Sequence, residues 1–553
     1  MNGAQHIIKA LETAGISTIF GYPGGAIMPV YDALYDSKLN HVLCRHEQGA
    51  ALAADGYARS TGNLGVCLAT SGPGATNLLT GIANAHLDSI PMLAITGQVA
   101  SPLIGTDAFQ EVDILGMALP VVKHSFQVRT PCELPRMLQE AMQIALSGRP
   151  GPVLIDVPKD IQLAKIPPLV GFPSLDNSLP TAGTGTIEEA NQLILQAKRP
   201  VLYSGGGIML GNAVAALRDY ACHSGIPSVT TLKGIGNHLP DDPYYLGMLG
   251  MHGTKAANLA VQQCDLLICI GARFDDRVTG KLDSFAENAK IIHLDIDAAE
   301  FGKLKTPDVI IHGELNYSLS QLAYSANIAQ WQQQCTQLKS QYAFTYPENP
   351  PSIYAPQLIH RLAQLSPEET IISCDVGQHQ MWVAQHYQFT HPRHHLSSSG
   401  LGTMGYGLPA AIGAQFANPS AQVINISGDG SFMMNIQELA TIIRYQLPIK
   451  IIIIDNQRLG MVRQWQTLFF TERYSEVDLS DNPDFVKVAQ AFGLTAQCIT
   501  QTSEVEPALQ AFLKATKPFL LHVCINPKDN VWPLVPPGVP NDNMLECTNN
   551  ELL

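Results

Sequence analysis

The sequence predicts an α/β protein built from three doubly wound parallel-sheet domains, and three observations support this prediction. At 553 residues the chain is too long for one hydrophobic core. Short apolar runs rich in β-branched residues alternate with helical stretches, which is typical of parallel strands covered by helices on both faces. This series occurs three times, and two polar segments rich in Pro, Gly, Ser or Gln separate the repeats.

Changes in composition set the predicted boundaries. We expect an N-terminal α/β domain over residues 1–165, a linker over 166–190, a central α/β domain over 191–325, a linker over 326–354, a C-terminal α/β domain over 355–530 and a proline-rich tail over 531–553. The third series of strands and helices repeats the order of the first, which suggests an old duplication. The tail suits either a flap over a site or a docked end of the chain.

Five strands are predicted for each domain. Those of the N-terminal domain cover 18–20, 41–43, 66–69, 91–95 and 153–157. Those of the central domain cover 200–203, 226–230, 265–270, 290–294 and 308–311. Those of the C-terminal domain cover 370–374, 395–397, 423–427, 449–454 and 519–525.

Composition and charge exclude several classes of protein. A hydrophobic fraction of 46% with 14% charged residues indicates a well-packed globular protein. The net charge of −14, without a basic stripe, argues against a nucleic-acid partner. No apolar stretch has membrane-spanning length and the N-terminus leads directly into an amphipathic helix, so we expect a cytoplasmic protein. The eleven cysteines form no C-x-x-C pair and no His/Cys cluster at zinc spacing, which predicts buried, reduced thiols.

Two strand ends in the C-terminal domain carry oxygen ligands. The strand that breaks at Gly428 is followed by Asp429, and the strand that ends at Ile454 leads to Asn456. Ligands bind beyond the carboxyl ends of parallel strands, and Mg²⁺ prefers such oxygens. A helix beginning near Ser431 would point its N-terminal amides at a phosphate group there. Taken alone, each fragment is equally well explained as a turn.

Other candidates depend on similar strand ends. Glu47 lies where the second strand meets an Ala-rich helix, although a glutamate there is usually only a favourable charge at the helix dipole. Met404 lies between glycines, where a gap-filling core methionine is the alternative. Met461 and Trp465 are four residues apart on one helical face, which is either core or a pocket wall.

The central domain has two glycine- or arginine-containing turns of its own. Gly205-Gly206-Gly207 is similar to a dinucleotide turn but does not fit G-x-G-x-x-G. Arg273 and Arg277 follow a strand end and suit anionic oxygens. A surface loop with solvated arginines is the alternative.

Taken together, the G-D-G and D-N segments resemble the diphosphate-and-magnesium motif of thiamine-diphosphate enzymes. That motif usually ends in two asparagines; here Asp455 takes the first position and Asn456 keeps the second. Along nearly the whole chain, G-Y-P-G-G-A, C-R-H-E-Q-G-A, T-S-G-P-G-A-T-N, G-A-R-F-D-D-R-V-T-G and D-V-G-Q-H-Q-M-W stand in order. As a set they resemble the catalytic large subunits of the acetohydroxyacid (acetolactate) synthase family, of the bacterial isozyme II type.

This resemblance implies a reaction and its partners. Pyruvate would lose carbon dioxide on thiamine diphosphate and join a second pyruvate, giving 2-acetolactate, or 2-ketobutyrate, giving 2-aceto-2-hydroxybutyrate. This is the first common step of branched-chain amino acid biosynthesis. The resemblance further implies Mg²⁺, non-redox FAD, a homodimer or dimer of dimers with active sites between chains, and a small regulatory subunit. The alternatives are a simple 2-keto acid decarboxylase, a pyruvate oxidase or a flavin-binding scaffold without catalysis.

The resemblance also implies site residues. The catalytic group comprises Glu47, which exchanges a proton with N1′ of the aminopyrimidine, Met404 as a wedge under the cofactor, Arg277 for the acceptor carboxylate, Met461 and Trp465 for its alkyl tail, and Phe109, Gln110 and Lys159 from a neighbouring chain. The implied thiamine-diphosphate contacts are Tyr22, Pro23, Gly24, Gly25, Glu47, Val376, Gly377, Gln378, His379, Met404, Gly428, Asp429, Gly430, Ser431, Asn456, Leu459, Gly460, Met461 and Val462. The implied metal ligands are Asp429, Asn456 and the carbonyl of Arg458. The implied FAD contacts are Arg149, Gly205, Gly206, Leu249, Gly250, Met251, His252, Gly271, Ala272, Arg273, Asp275, Arg277, Val278, Asp295, Ile296, Glu314, Leu315, Gln380 and Met381.

Overall fold

The computed structural model describes residues 1–166, 179–324 and 327–547. In these residues it contains three six-stranded sheets, and every strand pair within them is parallel. Apolar side chains from helices and strands form the cores around each sheet. The predicted fold class is therefore confirmed. Residues 167–178 of the predicted first linker and 548–553 of the tail lie outside the described residues.

The N-terminal domain holds the first sheet, with strand order β2-β1-β3-β4-β6-β5. Its strands are β1 (Thr18–Gly21), β2 (Asn40–Leu43), β3 (Gly65–Ala69), β4 (Met92–Gln98), β5 (His124–Gln127) and β6 (Pro152–Pro158). Its helices are α1 (Gly3–Thr13), α2 (Met28–Tyr35), α3 (Glu47–Thr61), α4 (Pro73–Leu87), α5 (Ile114–Ala118), α6 (Leu134–Leu146) and α7 (Lys159–Leu163).

The central domain holds the second sheet. Its strands are β7 (Pro200–Ser204), β8 (Ser228–Thr230), β9 (Tyr245–Met248), β10 (Leu266–Ile270), β11 (Lys290–Asp295) and β12 (Val309–His312). Its helices are α8 (Thr184–Gln196), α9 (Gly207–Leu210), α10 (Val214–Ser224), α11 (Lys255–Gln263), α12 (Asp276–Thr279), α13 (Leu315–Ser320) and α14 (Ala329–Gln341). The strand order β12-β11-β10-β7-β8-β9 is that of dinucleotide-binding sheets, with the reversal between β7 and β10.

The C-terminal domain holds the third sheet. Its strands are β13 (Ile371–Cys374), β14 (His395–Ser397), β15 (Val423–Gly428), β16 (Lys450–Asp455), β17 (Thr495–Ile499) and β18 (Phe519–Cys524). Its helices are α15 (Ala355–Leu365), α16 (Gln378–His386), α17 (Gly407–Ala417), α18 (Asp429–Phe432), α19 (Leu439–Arg444), α20 (Gly460–Phe469), α21 (Phe485–Phe492) and α22 (Thr502–Lys514). The order β14-β13-β15-β16-β18-β17 repeats the topology of the first sheet, as expected for a duplication.

Each sheet contains one strand that the sequence analysis did not predict, and each is an edge strand. These are β5, β9 and β17. Their side chains are largely exposed or half-buried, in contrast to the fully buried β3, β7 and β16. An edge strand that faces solvent does not need a continuous apolar run, so it lacks the signal used to predict the others.

Two predicted segments differ in the structure. The helix expected from near Ser431 begins at Asp429 and is interrupted by a 3-10 helix, Met433–Glu438, before α19. Asn435 causes the break, because its backbone is non-helical and its side-chain amide donates to the carbonyl of Gly405 at 2.7 Å. Helix α8 begins inside the predicted linker 166–190. In the segment 326–354, α14 occupies the polar, Gln-rich part around Trp331, where the sequence predicts a helix before a Pro-rich linker.

Helices α3 and α17 join the N-terminal and C-terminal domains through small residues. Ala53 and Ala410 are fully buried there, within one apolar core that includes residues of both domains. A Cβ atom added at Gly413 would clash with the backbone oxygen of Ala53, and one at Gly56 would clash with that of Ala410. The two backbones therefore approach as closely as glycine permits.

The tail docks on the central domain. The amide of Val535 donates to the carbonyl of Met251 at 2.8 Å, and the Asn541 side chain donates to the carbonyl of Val278 at 2.8 Å. Of the two sequence-based alternatives, the contacts support a docked end. Among the described residues, none of the helices combines the length and apolar character needed to cross a membrane.

The cysteines follow the sequence analysis only in part. Six of the eleven are buried, but Cys132, Cys222 and Cys498 are exposed. The sequence has no His/Cys cluster at zinc spacing, yet Cys498, His522 and Cys524 lie together in space on β17 and β18. Sequence spacing does not reveal such a cluster when strand pairing brings its members together.

Candidate active site

Residues at the topological reversal of the third sheet form the first half of the candidate site. Strands β13 and β15 are neighbours, and the segments that follow them contain most of the residues implied for the diphosphate. The amide of Gly428 donates to Nε2 of His379 at 3.2 Å. Burial lowers the pKa of His379 to about 3, so this imidazole is neutral and accepts the bond. Ligands of open α/β sheets bind in such a crevice, beyond the carboxyl ends of the strands where the strand order reverses.

A pair of buried carboxylates lies beside this crevice. Asp429 is 2% exposed, and its Oδ2 accepts a hydrogen bond from the Asn482 amide at 2.9 Å. Burial and the nearby carboxylate of Asp455 raise the pKa of Asp429 well above its ordinary value. Asp455 in turn accepts from Nε2 of His522 at 2.7 Å. Two carboxylates in one buried position fit a divalent cation, which would compensate their charges.

The other implied metal ligands are close to this pair in sequence and are held by local bonds. The side-chain amide of Asn456 donates to Oε1 of Gln378 at 3.0 Å, and its Oδ1 accepts from the amide of Arg458 at 3.1 Å. A Cβ atom at Gly460 would clash with both Gln378 and Asn456, so only glycine allows this packing. The structure thus brings Gln378, Asn456 and Gly460 together.

Met404 lies next to the same loop. A Cβ atom at Gly430 would lie 3.8 Å from the methyl group of Met404, so the two residues are neighbours. Met404 is only half-buried. This exposure favours a place on a site wall over a gap-filling core residue.

Glu47 forms the centre of a second group, in the N-terminal domain. It is the first residue of α3 and is 9% exposed. Its Oε2 accepts a hydrogen bond from the Asn77 amide at 2.9 Å, and Gly74 leaves space beside Oε1. Gly24 packs on Thr70, which also contacts Gly74, so the implied loop Tyr22-Pro23-Gly24-Gly25 lies beside Glu47. The group therefore combines the start of α3, which follows β2, with the loops after β1 and β3 at the reversal point of the first sheet.

The residues implied for a neighbouring chain also belong to the N-terminal domain. Phe109 is 87% exposed, which is unusual for an aromatic side chain. Gln110 has a positive φ of 60°, and its backbone lies against Gly72. Lys159 is the first residue of α7 and is half-buried. An exposed aromatic residue beside the Glu47 group is suited to contact with another chain.

A cavity of about 800 Å³ opens where the three domains meet. All the residues implied for FAD line it, with the exception of Gly250. Gly250 instead supports the wall, because a Cβ atom there would clash with the carbonyl of Arg277. Val376, Met461 and Trp465, implied for the thiamine site or its substrate, line the same cavity.

The topology explains why these residues share one cavity. Gly205 follows β7 and Gly271 follows β10, the two strands at the reversal of the central sheet. A Cβ atom at Gly205 would clash with the carbonyl of Gly271, so the turns approach closely.

Burial raises the pKa of Asp295, at the end of β11, to about 6. The NH1 group of Arg149 pairs with Asp297 at 3.0 Å and with Glu300 at 2.7 Å.

Met461 and Trp465 form a cavity wall on α20. Both are only partly buried, and both line the large cavity and a second one of about 700 Å³. The second cavity is also lined by Phe470, Arg473 and Tyr474. Of the two sequence-based interpretations of this stripe, the structure favours the pocket wall. Arg277 contributes a largely exposed guanidinium to the large cavity, 3.6 Å from Asp276.

A buried charge network ties the three domains together beneath the large cavity. The guanidinium of Arg59 pairs with Asp55 and lies 2.8 Å from Asp88, while Tyr406 donates to Asp55 at 3.1 Å. Lys233 of the central domain lies 3.8 Å from Asp88. Burial lowers the pKa of Lys233 to about 8. Burial would raise the pKa of Asp88, but the positive charges of Lys233 and Arg59 outweigh it and lower that pKa to about 2. Two positive and two negative groups therefore balance at this junction.

The sequence analysis missed two residues that orient the key carboxylates. Asn77, which bonds Glu47, is the last residue of the T-S-G-P-G-A-T-N segment, so that motif could have indicated it. Asn482, which bonds Asp429, lies in an irregular loop that carries no periodic signal.

Comparison with protein families divides the chain in the same order as the three sheets. The N-terminal TPP binding domain of thiamine pyrophosphate enzymes matches residues 1–117. The central domain of these enzymes matches residues 187–322, and their C-terminal TPP binding domain matches residues 375–523.

Full-length relatives share one description. The chain is 58% identical over 546 residues to the acetolactate synthase isozyme 2 large subunit of Escherichia coli (strain K12), covering 99% of this chain and 100% of that protein. It is 49% identical to the acetolactate synthase large subunit of Pyropia yezoensis, covering 98% and 95%. It is 48% identical to that of Corynebacterium glutamicum, covering 98% and 90%.

Proposed function

The chain belongs to the acetolactate synthase large-subunit family of thiamine pyrophosphate enzymes, and we propose that it joins pyruvate to either of two acceptors. A second pyruvate gives 2-acetolactate, and 2-ketobutyrate gives 2-aceto-2-hydroxybutyrate. These products begin branched-chain amino acid biosynthesis. The main support is that Glu47, Asp429 and Asn456 are all present and buried at the strand ends where such a site belongs.

The C-terminal domain would bind the diphosphate through Mg²⁺. Thiamine diphosphate supplies an electron sink, which lets a 2-keto acid lose carbon dioxide and its carbonyl carbon then act as a nucleophile. Asp429, Asn456 and the carbonyl of Arg458 would hold the cation. The buried pair of Asp429 and Asp455 supports this assignment, because a cation would stabilise both carboxylates in their charged form. Met404, beside Gly430, would press on the cofactor from below.

Glu47 would exchange a proton with N1′ of the aminopyrimidine ring. Its Oε2 is held by Asn77, which fixes the carboxyl group and leaves Oε1 to the ligand. Gly74 has no side chain that would block that oxygen. The arrangement supports general acid–base work, which requires a carboxyl group positioned within hydrogen-bond reach of its proton partner.

The acceptor would be bound by the wall of the large cavity. Arg277, whose guanidinium is largely exposed, would pair with the acceptor carboxylate. Met461 and Trp465 would contact its alkyl group. Since 2-ketobutyrate has one more methylene than pyruvate, apolar contact there provides a preference of about 1–3 kcal/mol.

FAD would fill the cavity at the reversal point of the central sheet. Its volume lies in the range of about 300–1,000 Å³ that is typical of cofactor pockets. The dinucleotide-type strand order and the close approach of Gly205 to Gly271 support a nucleotide there. Arg149 and Arg273 would face its phosphates. We propose a structural flavin, because the reaction involves no net oxidation.

The complete site would lie between two chains. Glu47 and Asp429 belong to different domains, and each accepts a hydrogen bond from an asparagine of its own domain, Asn77 and Asn482 respectively. The exposed Phe109 supports a partner chain over the Glu47 group, with Gln110 and Lys159 at the same entrance. We therefore propose a homodimer, or dimer of dimers, that associates with a small regulatory subunit. We also propose that this assembly is cytoplasmic.

Product analysis tests the function. The full-length protein is incubated with pyruvate, with and without 2-ketobutyrate, thiamine diphosphate and Mg²⁺. We expect acetolactate that depends on both cofactors, and acetohydroxybutyrate when the second keto acid is added. Acetaldehyde as the main product would instead indicate a simple decarboxylase, and oxygen-dependent hydrogen peroxide an oxidase.

A further inference from the structure

Cys498, His522 and Cys524 form a cluster at the outer edge of the third sheet. Cys498 on edge strand β17 pairs in register with His522 on β18, and Cys524 follows two residues later on the same face. Their potential ligand atoms all lie within 4.8 Å of one another. None of these three residues has a role in the proposed reaction.

The distances match the edges of a tetrahedral metal site. The Sγ atoms of Cys498 and Cys524 are 3.9 Å apart, and Sγ of Cys524 is 3.8 Å from Nε2 of His522. Two thiolates bound tetrahedrally at about 2.3 Å from zinc are about 3.8 Å apart, and a thiolate and an imidazole nitrogen about 3.6 Å. A disulfide needs sulfurs at about 2.05 Å, so the present spacing favours a metal over a covalent bond.

The fourth position of such a site would be taken by water, since among the described residues only these three bring their ligand atoms within 4.8 Å of one another. Nε2 of His522 lies 2.7 Å from Oδ2 of Asp455, so a cation bound through this nitrogen would replace that hydrogen bond and leave the ring proton on Nδ1. Cys498 is exposed, so an ion can enter from solvent at the sheet edge. Two cysteines, one histidine and one further oxygen are the ligand set of many four-coordinate zinc sites.

We propose that Cys498, Cys524 and His522 bind a zinc-class divalent cation, with water at the fourth position. The soft sulfur ligands select zinc or cobalt over Mg²⁺, which requires oxygen ligands. Binding converts two thiols to thiolates, and their two protons leave to solvent. Because both sulfurs lose a proton on binding, the affinity for the cation increases with pH.

Cobalt titration tests this site in the full-length protein. After removal of metals with a chelator, the protein is titrated with Co²⁺ in the absence of reductant. We expect the thiolate-to-cobalt charge-transfer band and the tetrahedral visible bands to saturate at one cobalt per chain, and zinc to abolish them. The magnesium position has only oxygen ligands, so cobalt bound there gives no sulfur band.

Three variants assign the signal. Cys498→Ser and Cys524→Ser should each abolish the charge-transfer band, whereas Cys222→Ser, which removes an exposed cysteine elsewhere, should retain it. Cys498 is exposed, so its replacement leaves the fold intact, and circular dichroism checks this. A band that survives in both cluster variants, the absence of a band in the wild-type protein, or a Cys498–Cys524 disulfide found by thiol counting would overturn the proposal.

Discussion

Replacing Glu47 by glutamine tests the proton path at a single atom. The side chain is 9% exposed, and the Asn77 amide holds its Oε2 at 2.9 Å. Glutamine has the same shape, and its own carbonyl oxygen can accept that bond. The amide nitrogen then replaces Oε1, the oxygen proposed to exchange a proton. Glu47→Gln therefore removes the proton transfer while keeping the position of the side chain.

The expected losses differ greatly between stability and catalysis. The hydrogen bond from Asn77 changes from a charged to a neutral acceptor, which costs about 1–2 kcal/mol of folding free energy. Positioned acid–base groups contribute about 10²–10⁴-fold to rate, so kcat should fall by that factor. Acetolactate formation at saturating thiamine diphosphate and Mg²⁺ measures kcat, and thermal unfolding measures stability.

Glu438→Gln is the matched control. Glu438 is a fully buried glutamate near the same end of α3, where its Oε1 accepts from the amide of Arg45 at 2.8 Å and its Oε2 from Thr441 at 2.6 Å. Its replacement should lower stability but leave kcat nearly unchanged. A Glu47→Gln protein that keeps kcat within about tenfold of the wild type would refute the proposed role, because acid–base catalysis contributes about 10²-fold or more.

Three further predictions follow from the geometry. Burial and Asp455 raise the pKa of Asp429 above 3.8, so the folded protein binds that proton more tightly than the unfolded chain does. Without Mg²⁺ the thermal stability should therefore fall as pH rises from about 5 to about 8. Mg²⁺ with thiamine diphosphate should weaken this pH dependence. If the dependence of stability on pH is the same with and without them, the metal assignment is contradicted. Gly413→Ala should destabilise the protein by about 1–3 kcal/mol in denaturant unfolding, because its Cβ atom clashes with α3, whereas Gly185→Ala in the open first turn of α8 should not destabilise it. Gly205→Val should abolish bound flavin, measured by absorbance after denaturation, and a wild-type level of flavin would exclude the proposed cavity.

The strands that could be predicted most directly are those buried on both faces, because such strands consist of consecutive apolar residues. The run at Ile451, Ile452 and Ile453 is buried on both faces, and it leaves little alternative to a central strand. In the edge strand β17 only Ile499 is buried and the other four residues are exposed or half-buried, so its sequence is compatible with a loop. Its existence depends on pairing with β18, which is a tertiary interaction.

The sequence predicts individual residues of the site, but not which residues lie in contact with one another. Short glycine-containing motifs identified Asp429 and Glu47, because each follows a strand end. Their partners come from other segments: Asn77 ends the T-S-G-P-G-A-T-N motif, which could have indicated it, whereas Asn482 lies in an irregular loop without a pattern. The cluster of Cys498 with His522 was missed for the same reason: strand register brings the two residues together across 23 intervening positions.

Complementation between two inactive variants tests most directly whether one catalytic site combines Glu47 of one chain with the Asp429 metal site of another. Glu47→Gln and Asp429→Asn proteins, carrying different affinity tags, are mixed under conditions that allow subunit exchange, and the doubly tagged dimers are counted. Random exchange produces hybrids in which one of two sites is intact, so about one quarter of the wild-type acetolactate activity should return. Hybrid dimers that form but stay inactive would contradict a site shared between chains.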